Sequence, residues 1–559
     1  MNNLAMGALR WIAVALCGSA LFFAAAAQAE QRPTLTTHVP DAVARGVAPL
    51  VGHVRSSQRV SLAISLPLRN QAELDDLLRQ LYDPQSPLYH KYLSVKDFTE
   101  RFGPTEADYA AVQQYSKARG LDIIDTPANR MVIDVEAPAA NIESAFHITL
   151  NVYQHPTENR TFFAPDREPT VDLEVPLLHV DGLDDFSPPQ PKYTMPAVES
   201  NLQKNSQKNV QKNATGSGPG GSFLGSDLRA AYYGSGSLNG AGQIVAIFSL
   251  KGFQISDIDL YFNSIGQPLN VPVVGISVNG ASLTCPPATC NDGEQSLDIE
   301  QAISMAPGLS QVSFYVGKSN VSVFNKMAAD NTAKTISCSW GWPDNESSLD
   351  PIFEEMGAQG QTVFVATGDN GSSTPANVVW PADDPYVVAV GGTVLITNGG
   401  GGTWHSETGW SKSAGMPSPN GVPIPSWQQT PGVITSSNGG STTLRNIPDV
   451  ASESNGSQYI CAQGKCTEHG GGTSYAAPLW ASLAALANEQ AAANGEANVG
   501  FINPALYSIG LGTSFTSDFH DIVKGSNGGY SAVAGYDLVT GWGSPQGVNL
   551  INALAPPAK

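Results

Sequence analysis

Short runs of β-branched and apolar residues alternate with helical stretches throughout residues 222–559. The predicted strands are residues 243–250, 311–316, 335–339 and 362–366, with a further candidate at 385–390. Strands that are apolar on both faces are typical of parallel sheets buried between two layers of helices. The pattern therefore predicts a doubly wound α/β domain, and such domains bind their ligands beyond the carboxyl ends of the strands.

The chain before this domain divides into two stretches of different composition. Within residues 30–186, predicted helices at 71–81, 105–119 and 139–146 alternate with predicted strands at 131–135 and 148–153. This alternation favours a small α/β sandwich. Residues 187–222 are rich in Pro, Asn, Gln, Lys, Ser and Gly, a composition that cannot bury a core. We expect a flexible, protease-accessible linker there, either a permanent spacer or a removable connection.

The first 29 residues predict a signal peptide rather than part of a fold. Arg10 precedes an apolar run over residues 11–26, and Ala27-Gln28-Ala29 is a small-x-small cleavage site. A transmembrane anchor is the competing interpretation, but polar residues follow the cleavage site. No later apolar run approaches the roughly 20 residues that span a bilayer. We expect a secreted protein that has no membrane contact once the signal peptide is removed.

The charge and the cysteines narrow the class of protein further. The net charge is −20 and the chain shows no basic face, so we expect no nucleic-acid partner. After export, Cys285 with Cys290 and Cys461 with Cys466 are expected to form two local disulfides. A zinc site is the weaker alternative, because His469 is the only histidine near them. Cys338 lies in an apolar run and is predicted to be a buried free thiol.

Residues 470–474, Gly-Gly-Gly-Thr-Ser, precede an Ala- and Leu-rich helix predicted at 476–487. Glycines let the backbone turn sharply and approach a ligand closely. The free N–H groups at the start of a helix stabilise a developing oxyanion. Ser474 is therefore a candidate nucleophile, and the alternative is an ordinary helix-capping serine.

Three acidic residues could serve such a nucleophile. Glu294 and Asp298 are four apart on a helix predicted to end at Met305, so both lie on one face. Two neighbouring carboxylates titrate as a unit, and in acid the pair can take a proton from a serine hydroxyl. Asp369 follows a predicted strand in Gly-Asp-Asn-Gly, where a protonated carboxyl could donate to an oxyanion. The alternatives are a solvated acidic helix face and an Asx turn.

Histidine does not offer a base in this domain. Its histidines are His405, His469 and His520, and none has the strand-end or helix-start setting of a subtilisin-type base. A serine hydrolase built on these residues therefore needs a base of another kind.

With these residues in view, the chain resembles the sedolisin (kumamolisin-like) family of serine-carboxyl peptidases over nearly everything after the signal peptide. Glu294 and Asp298 match the Glu-x-x-x-Asp helix of the family, and Asp369 matches its Gly-Asp strand end. The family's Ser-Gly-Thr-Ser-x-x-x-Pro motif matches residues 471–478, with Gly471 at its first serine. Further matches are Ser-Cys-Ser-Trp-Gly at 337–341, Arg-Asn-Ile-Pro-Asp-Val at 445–450 and the activation prodomain, above all residues 83–93.

The resemblance implies a fold and a mechanism. It implies a subtilisin-like peptidase domain over residues 223–559, after a small α+β, ferredoxin-like activation prodomain over 30–186. Ser474 would attack the scissile carbonyl, Glu294 would be the general base and Asp298 its orienting partner. Asp369, protonated, would help the Ser474 N–H to hold the oxyanion.

The resemblance also implies one structural Ca²⁺ near the C-terminus. The carboxylates of Asp521 and Asp537 and the carbonyls of Ile522, Val533 and Gly535 would bind it, and such hard oxygen ligands suit Ca²⁺.

We therefore expect a secreted, acid-acting endopeptidase, made as a zymogen and matured by cleavage within residues 187–222. We expect a monomer whose partners are protein or peptide substrates and its own prodomain, which would inhibit it and assist its folding. A tripeptidyl exopeptidase is the alternative within the family. An inactive, calcium-stabilised binding protein is the alternative outside it.

Overall fold

The computed structural model describes residues 34–192, 215–286, 289–343, 348–374 and 380–557, and of His469 only the backbone. The predicted signal peptide and residues 193–214 of the predicted linker lie outside these ranges. Among the described residues, no helix combines the length and apolarity that crossing a bilayer requires.

The N-terminal unit is built on a four-stranded antiparallel sheet. Its strands lie in the order Asp122–Asp125, Val132–Pro138, Arg59–Ser65 and His179–Asp181. The strand that comes first in the chain and the one that comes third are therefore central, which is the ferredoxin-like order. The helices of this unit are Asp41–Ala44, Gln71–Leu81, Val95–Arg101, Glu106–Ala118 and Ala139–Phe146, and Leu50–His53, Leu150–Gln154 and Thr161–Pro165 form a second, small sheet.

The second unit is built on an eight-stranded, mainly parallel sheet. Its strands lie in the order Val273–Ser277, Gln311–Val316, Ile244–Ser249, Thr335–Cys338, Thr362–Ala366, Val387–Thr397 and Trp404–Gly409, with Val450–Glu453 also paired to Val387–Thr397. Only Trp404–Gly409 runs antiparallel. The helices are Gly225–Tyr232, Ile255–Ser264, Gly293–Met305, Asn320–Asp330, Asp350–Ala358, Thr473–Ala493, Asn503–Gly510, Phe515–Asp518 and Gly547–Leu554.

Both faces of this sheet are buried, because successive residues of a strand enter different cores. Val245 and Ile247 pack in the core that contains Thr473–Ala493, whereas Ala246 and Phe248 pack in the core on the other face. The doubly wound arrangement predicted from the two-sided apolar runs is therefore correct. The strand predicted at 385–390 is longer than expected, because its end pairs with Trp404–Gly409.

The cysteines behave as expected. Cys285–Cys290 and Cys461–Cys466 are disulfide-bonded, and Cys338 is a buried free thiol. The second disulfide joins the strands of a hairpin, Gln458–Ala462 and Lys465–Gly470, which the sequence did not predict.

The two units share a core. Leu74 and Leu77 of the N-terminal unit belong to the same apolar cluster as Ile352 and Phe353 of the second unit. The Tyr92 hydroxyl donates to the Asn498 carbonyl at 3.0 Å. Its ring lies against Gly360 and Gly500, where an added Cβ would approach Tyr92 to 2.5 Å and 2.1 Å. The resemblance of residues 83–93 to an activation prodomain thus falls on a segment that contacts the second unit.

The predicted linker differs from the expectation at both ends. Gln190–Pro191 forms an antiparallel pair with Trp340–Gly341, and the Thr397 amide donates to the Thr215 hydroxyl at 2.8 Å. Residues 190–192 and 215–222 are therefore held by the second unit rather than free, and the backbone pairing carries the chain across the carboxyl ends of the parallel strands.

Candidate active site

Ser474 is the second residue of the helix Thr473–Ala493 and is fully buried. The helix begins after Gly472, whose φ of 133° favours glycine, and no side chain at that position caps the helix. Ser474 is therefore not the capping residue that the alternative interpretation required. Its N–H donates to the carbonyl of Lys192 at 3.1 Å, and its hydroxyl donates to the same oxygen.

Asp369 follows the strand Thr362–Ala366 and reaches the start of the same helix. Its Oδ1 accepts from the N–H of Thr473 at 2.8 Å and from the Thr473 hydroxyl at 2.9 Å. Its Oδ2 is buried and has no hydrogen-bond partner among the described residues. Burial raises the pKa of Asp369 to about 6, against the opposing effects of Thr473, Lys192 and Lys412. In acid this carboxyl is neutral, and its Oδ2 is the oxygen free to carry the proton.

Glu294 and Asp298 lie on the helix Gly293–Met305, every residue of which is buried. Burial raises the pKa of both carboxyls well above the ordinary range, and for Glu294 the neighbouring Asp298 raises it further. Ser474 and Lys192 have the opposite effect and favour the ionised form of Glu294. The interpretation of this pair as a solvated acidic face is therefore wrong.

The contact between Glu294 and Ser474 is incomplete in this arrangement. Among the described residues, neither oxygen of Glu294 has a partner that meets hydrogen-bond geometry, and the Ser474 hydroxyl is directed at the Lys192 and Ser339 carbonyls. Ser474 nevertheless lies close enough to favour the ionised form of Glu294 and to lower its pKa.

Ser339 links Asp298 to the nucleophile. Its hydroxyl donates to Asp298 Oδ1 at 2.6 Å and lies 3.3 Å from the backbone carbonyl of Ser474. That carbonyl is available because Pro478, four residues later in the helix, has no N–H to donate to it. Ser339 was predicted only as part of the segment 337–341, although the spacing from Ser474 to Pro478 indicates a helical carbonyl that needs another donor.

Lys192 is the site residue that the sequence analysis missed. Besides its carbonyl at Ser474, its N–H donates to the Ser339 carbonyl at 2.9 Å. Its side chain is partly buried, and burial lowers the pKa of the ammonium while Asp369 and Glu294 favour its charged form. The sequence contains one local indication of this position, because the prolines at 188, 189 and 191 predict extended backbone just before Lys192.

Local packing explains why position 471, where the family motif has its first serine, is a glycine in this chain. A Cβ at this position would lie 2.3 Å from the Gly456 nitrogen and 3.0 Å from the Ser454 carbonyl oxygen. A serine there would require the 454–456 backbone to move. The glycine therefore suits this chain's own backbone and does not interrupt the site.

Histidine takes no part in the described hydrogen bonds of these acids or of Ser474. His520 stacks on Trp404 with ring centroids 4.1 Å apart, and burial lowers its pKa to about 4.

The five residues predicted to bind calcium also lie together. Asp521 accepts from the Gly535 N–H at 3.2 Å, and Asp537 accepts from the Val533 N–H at 2.9 Å. Burial raises the pKa of both carboxyls, that of Asp537 to about 7. The carbonyls of Ile522, Val533 and Gly535 accept no backbone hydrogen bond from the described residues. Two carboxylates in a poorly solvated loop and three free carbonyls fit a hard cation.

Two family models match the chain. The activation domain of pro-kumamolisin matches residues 48–186, and the subtilase family matches residues 285–501.

Characterised relatives match over almost the full length. Kumamolisin from Bacillus sp. (strain MN-32) is 29% identical over 95% of this chain and 97% of its own. Sedolisin from Pseudomonas sp. (strain 101) is 28% identical over 90% of this chain and 88% of its own. Tripeptidyl-peptidase 1 from Rattus norvegicus is 25% identical over 93% and 97%, respectively.

A solved structure supports the fold. Pseudomonas sedolisin, complexed with two molecules of pseudo-iodotyrostatin, superposes with a TM-score of 0.51 and 27% identity, covering 59% of this chain and 96% of that one. The predicted fold class, a subtilisin-like parallel sheet preceded by a small α+β unit, is confirmed by these matches and by the sheet order.

Proposed function

We propose that this chain is an acid-acting endopeptidase of the sedolisin family of serine-carboxyl peptidases, secreted as a zymogen; it carries the activation domain of pro-kumamolisin. One observation carries the proposal. The carbonyl of Lys192 receives the N–H and the hydroxyl of Ser474. Ser474 itself acts on Glu294, and Asp369 contacts the adjacent Thr473. A peptide bond thus lies where a nucleophile, a base and an oxyanion donor converge.

The proposed mechanism assigns one task to each side chain. The Ser474 oxygen attacks the carbonyl carbon as its proton passes to Glu294, which then returns it to the leaving amine. Asp298, held by Ser339, is the orienting partner of Glu294 and shares with it the single negative charge of the pair. The Ser474 N–H and protonated Asp369 hold the oxyanion, and one such donor contributes about 10²–10³ in kcat.

The requirement for acid follows from these roles. Asp369 can donate a hydrogen bond only when it is protonated. Because its pKa is about 6, this requires a pH below that value. Glu294 must be ionised to accept a proton, and because a coupled pair loses its two protons in separate steps, one carboxyl can be ionised while the other keeps its proton. The active form therefore needs Asp369 neutral while the Glu294–Asp298 pair retains one negative charge.

The path of the linker favours an endopeptidase over a tripeptidyl exopeptidase. Upstream of Lys192 the chain continues as Gln190–Pro191, paired with Trp340–Gly341, and then on through Pro189 into the N-terminal unit. The cleft therefore admits more than three residues before the carbonyl at Ser474. An enzyme that releases tripeptides would close this end of the cleft.

We extend the proposal to the calcium ion and to export. Asp521 and Asp537, with the carbonyls of Ile522, Val533 and Gly535, would hold one Ca²⁺ that neutralises two carboxylates, one partly buried and one buried. The predicted signal peptide over residues 1–29 would direct the zymogen out of the cell.

Casein hydrolysis at about pH 4 tests the central proposal. Wild type is expected to produce peptides of mixed length, and Ser474→Ala to be inactive. Equal activity of the two proteins would refute Ser474 as nucleophile. Release of tripeptides alone from the N-terminus of a long peptide would refute the endopeptidase in favour of the exopeptidase.

A further inference from the structure

The interface between the two units is lined by carboxyl groups that meet neutral donors. Among the described residues, four carboxyls accept a hydrogen bond across it: Glu354 from Gln71 at 2.8 Å, Glu355 from Asn129 at 2.7 Å, Asp134 from Ser322 at 2.5 Å and Asp181 from Ser348 at 3.0 Å. Every ion pair between described residues lies within one unit. Within the described ranges, these carboxyls are therefore hydrogen-bonded across the interface but not neutralised there by a cation of the other unit.

A neutral donor serves a carboxyl group in both of its protonation states. The carbonyl oxygen of a protonated carboxyl still accepts from an amide or a hydroxyl, so protonation keeps each of these contacts. It also removes the cost of holding a charge away from water. An interface built from carboxylate–cation pairs would respond in the opposite way, because protonation there removes the attraction.

Like charges face each other where the helix of Gln71 packs on the helix of Glu354. The Gln71 amide donates to Glu354 and, at 2.9 Å, to Asp75 of its own helix, so acids of both units share one donor. Asp350, one helical turn before Glu354, and its neighbour Asp384 add two more carboxyls. Burial, and then Asp75 and Asp350, raise the pKa of Glu354 to about 8. When they are ionised, these acids repel each other across the interface.

The next residue of this helix, Glu355, is fully buried. Its hydrogen-bond partners are the neutral amides of Asn129 and Gln359, and burial raises its pKa to about 8. Two phenols that face the interface acids stay neutral in acid, because burial raises the pKa of both: Tyr109 beside Asp134 and Tyr386 beside Glu354. The charge of Glu355 would thus be held away from water without a cation as its partner.

The remaining two carboxyls belong to the N-terminal unit. Burial raises the pKa of Asp134 to about 6, and the charges of Asp125 and Asp181 add to this effect. Burial also raises the pKa of Asp181. Two bases oppose these shifts: Lys318 lines a small cavity beside Asp134, and His179 lies 3.8 Å from Asp181 within the same strand. Burial outweighs both bases.

Closing of this interface therefore takes up protons. When the units separate, the carboxyls meet water and titrate near their ordinary values of about 4. A carboxyl whose pKa is raised by closing stabilises the closed form fully below its value in water, and this contribution is lost as the pH rises through the raised value. Between the two values, each such carboxyl changes the closing equilibrium by about tenfold per pH unit.

We propose that protonation of these carboxyls holds the N-terminal unit on the second unit, so that cutting the linker in acid leaves the two units associated. Release then requires hydrolysis of the N-terminal unit itself or a rise in pH. The inference rests on the proposed role of the N-terminal unit as inhibitor of the peptidase, and it adds a step of control between the cut in the linker and full activity.

Hydrogen exchange of the full-length Ser474→Ala zymogen tests the pH dependence without any peptidase activity. Exchange in the helices Gln71–Leu81 and Asp350–Ala358, corrected for the intrinsic rate, reports how often the interface opens. The opening equilibrium is expected to increase at least about tenfold between pH 5 and pH 7. The helix Gly547–Leu554, in the core of the second unit, is the internal reference and should change by less than about twofold. An opening equilibrium that falls or stays constant as the pH rises would overturn the inference.

Neutral side chains of the same shape test which acids respond. In the same zymogen, Glu354→Gln combined with Glu355→Gln imitates the protonated pair and keeps oxygens that accept from the N-terminal unit. This double variant should open less often than its parent at pH 7, and its change between pH 5 and pH 7 should be about threefold or less. Glu143→Gln is the matched control, because Glu143 accepts from the Leu150 N–H at 2.8 Å within the N-terminal unit. A double variant with the same pH dependence as this control would overturn the assignment of the acids.

Size-exclusion chromatography of the cut zymogen tests the association itself. Trypsin cuts after lysine, and residues 193–214 contain Lys204, Lys208 and Lys212. After this cut, a larger share of the N-terminal fragment of Ser474→Ala should elute with the rest of the chain at about pH 5 than at about pH 8. Equal shares, or a larger share at the higher pH, would overturn the inference.

Wild type separates this inference from the proposed function. Casein hydrolysis by a wild-type protein whose units separate more readily in acid would overturn the inference and leave the peptidase standing. Units that stay together in acid, in a chain whose wild type never hydrolyses casein, would support the inference about the interface and overturn the peptidase.

Discussion

Replacing Asp369 by asparagine is expected to change the pH dependence of the enzyme without removing its oxyanion donor. Oδ1 of Asp369 is already committed to the Thr473 N–H and hydroxyl, at 2.8 Å and 2.9 Å. An asparagine oxygen can accept both bonds, which directs the amide NH₂ to the place of the free Oδ2. The substitution therefore keeps the helix contact and supplies a donor that does not titrate.

The size of the effect follows from the pKa of about 6. With that pKa, about 99% of Asp369 is protonated at pH 4, about 9% at pH 7 and about 1% at pH 8. The kcat of wild type should therefore fall about tenfold per pH unit above pH 6 as the donor is lost. Asp369→Asn should not show this fall in kcat above pH 6. Asp369→Ala should lose about 10²–10³ in kcat at every pH, because the donor is gone.

The assay is kcat and kcat/KM of the mature enzyme on one peptide between pH 3 and pH 8. Melting temperatures recorded for each protein at the same pH values separate loss of folding from loss of chemistry. If Asp369→Asn kept the same fall above pH 6 as wild type, the carboxyl assigned to the oxyanion would be wrong. Undiminished activity of Asp369→Ala would lead to the same conclusion.

Three further predictions concern stability. Removing calcium with a chelator should lower the melting temperature by several degrees, since an ion at 100 times its Kd adds about 2.7 kcal/mol to the free energy of unfolding. Asp537→Ala should abolish this response to the chelator. A response that survives in this variant would exclude the site. Gly471→Ser should destabilise the protein by about 1–3 kcal/mol in urea, because its Cβ would lie 2.3 Å from the Gly456 nitrogen, and a change below about 0.5 kcal/mol would contradict this. In a Ser474→Ala zymogen, Tyr92→Ala should lower the free energy of unfolding by about 3–5 kcal/mol and increase hydrogen exchange around Gly360 and Gly500. Tyr92→Phe should lower it by about 1 kcal/mol. Equal effects of the two variants would place the contribution of Tyr92 in its hydroxyl.

The parallel core of the peptidase domain could be predicted from the sequence. In runs such as Thr362–Ala366, residues 363–366 are apolar at every position because they enter two cores, and this pattern is local. The antiparallel strand Trp404–Gly409 and the hairpin Gln458–Ala462 with Lys465–Gly470 could not be predicted. Trp404–Gly409 and Lys465–Gly470 are mainly polar, and their strand conformation depends on the strands with which they pair.

The acids and the serine could be named because each stands in a recognisable local setting, a helix face, a strand end or a helix start. Whether these side chains are buried could not be predicted from local sequence, so a solvated helix face remained an alternative interpretation for Glu294 and Asp298. The position of Lys192 is a clearer limit, because its carbonyl meets a side chain 282 residues away. The composition of the linker indicated flexibility, and only the fold shows that its first residues pair with Trp340–Gly341.

The central claim is that a carboxylate, Glu294, takes the proton of Ser474, and the rate of acylation of Glu294→Gln tests it most directly. Glu300→Gln is the matched control, since Glu300 is a fully buried glutamate of the same helix that accepts from the Cys461 N–H at 3.2 Å. In single-turnover measurements at about pH 4, Glu294→Gln should acylate about 10²–10⁴ times more slowly than wild type, with Glu300→Gln close to wild type. Acylation of Glu294→Gln within about tenfold of wild type would show that another group accepts the proton.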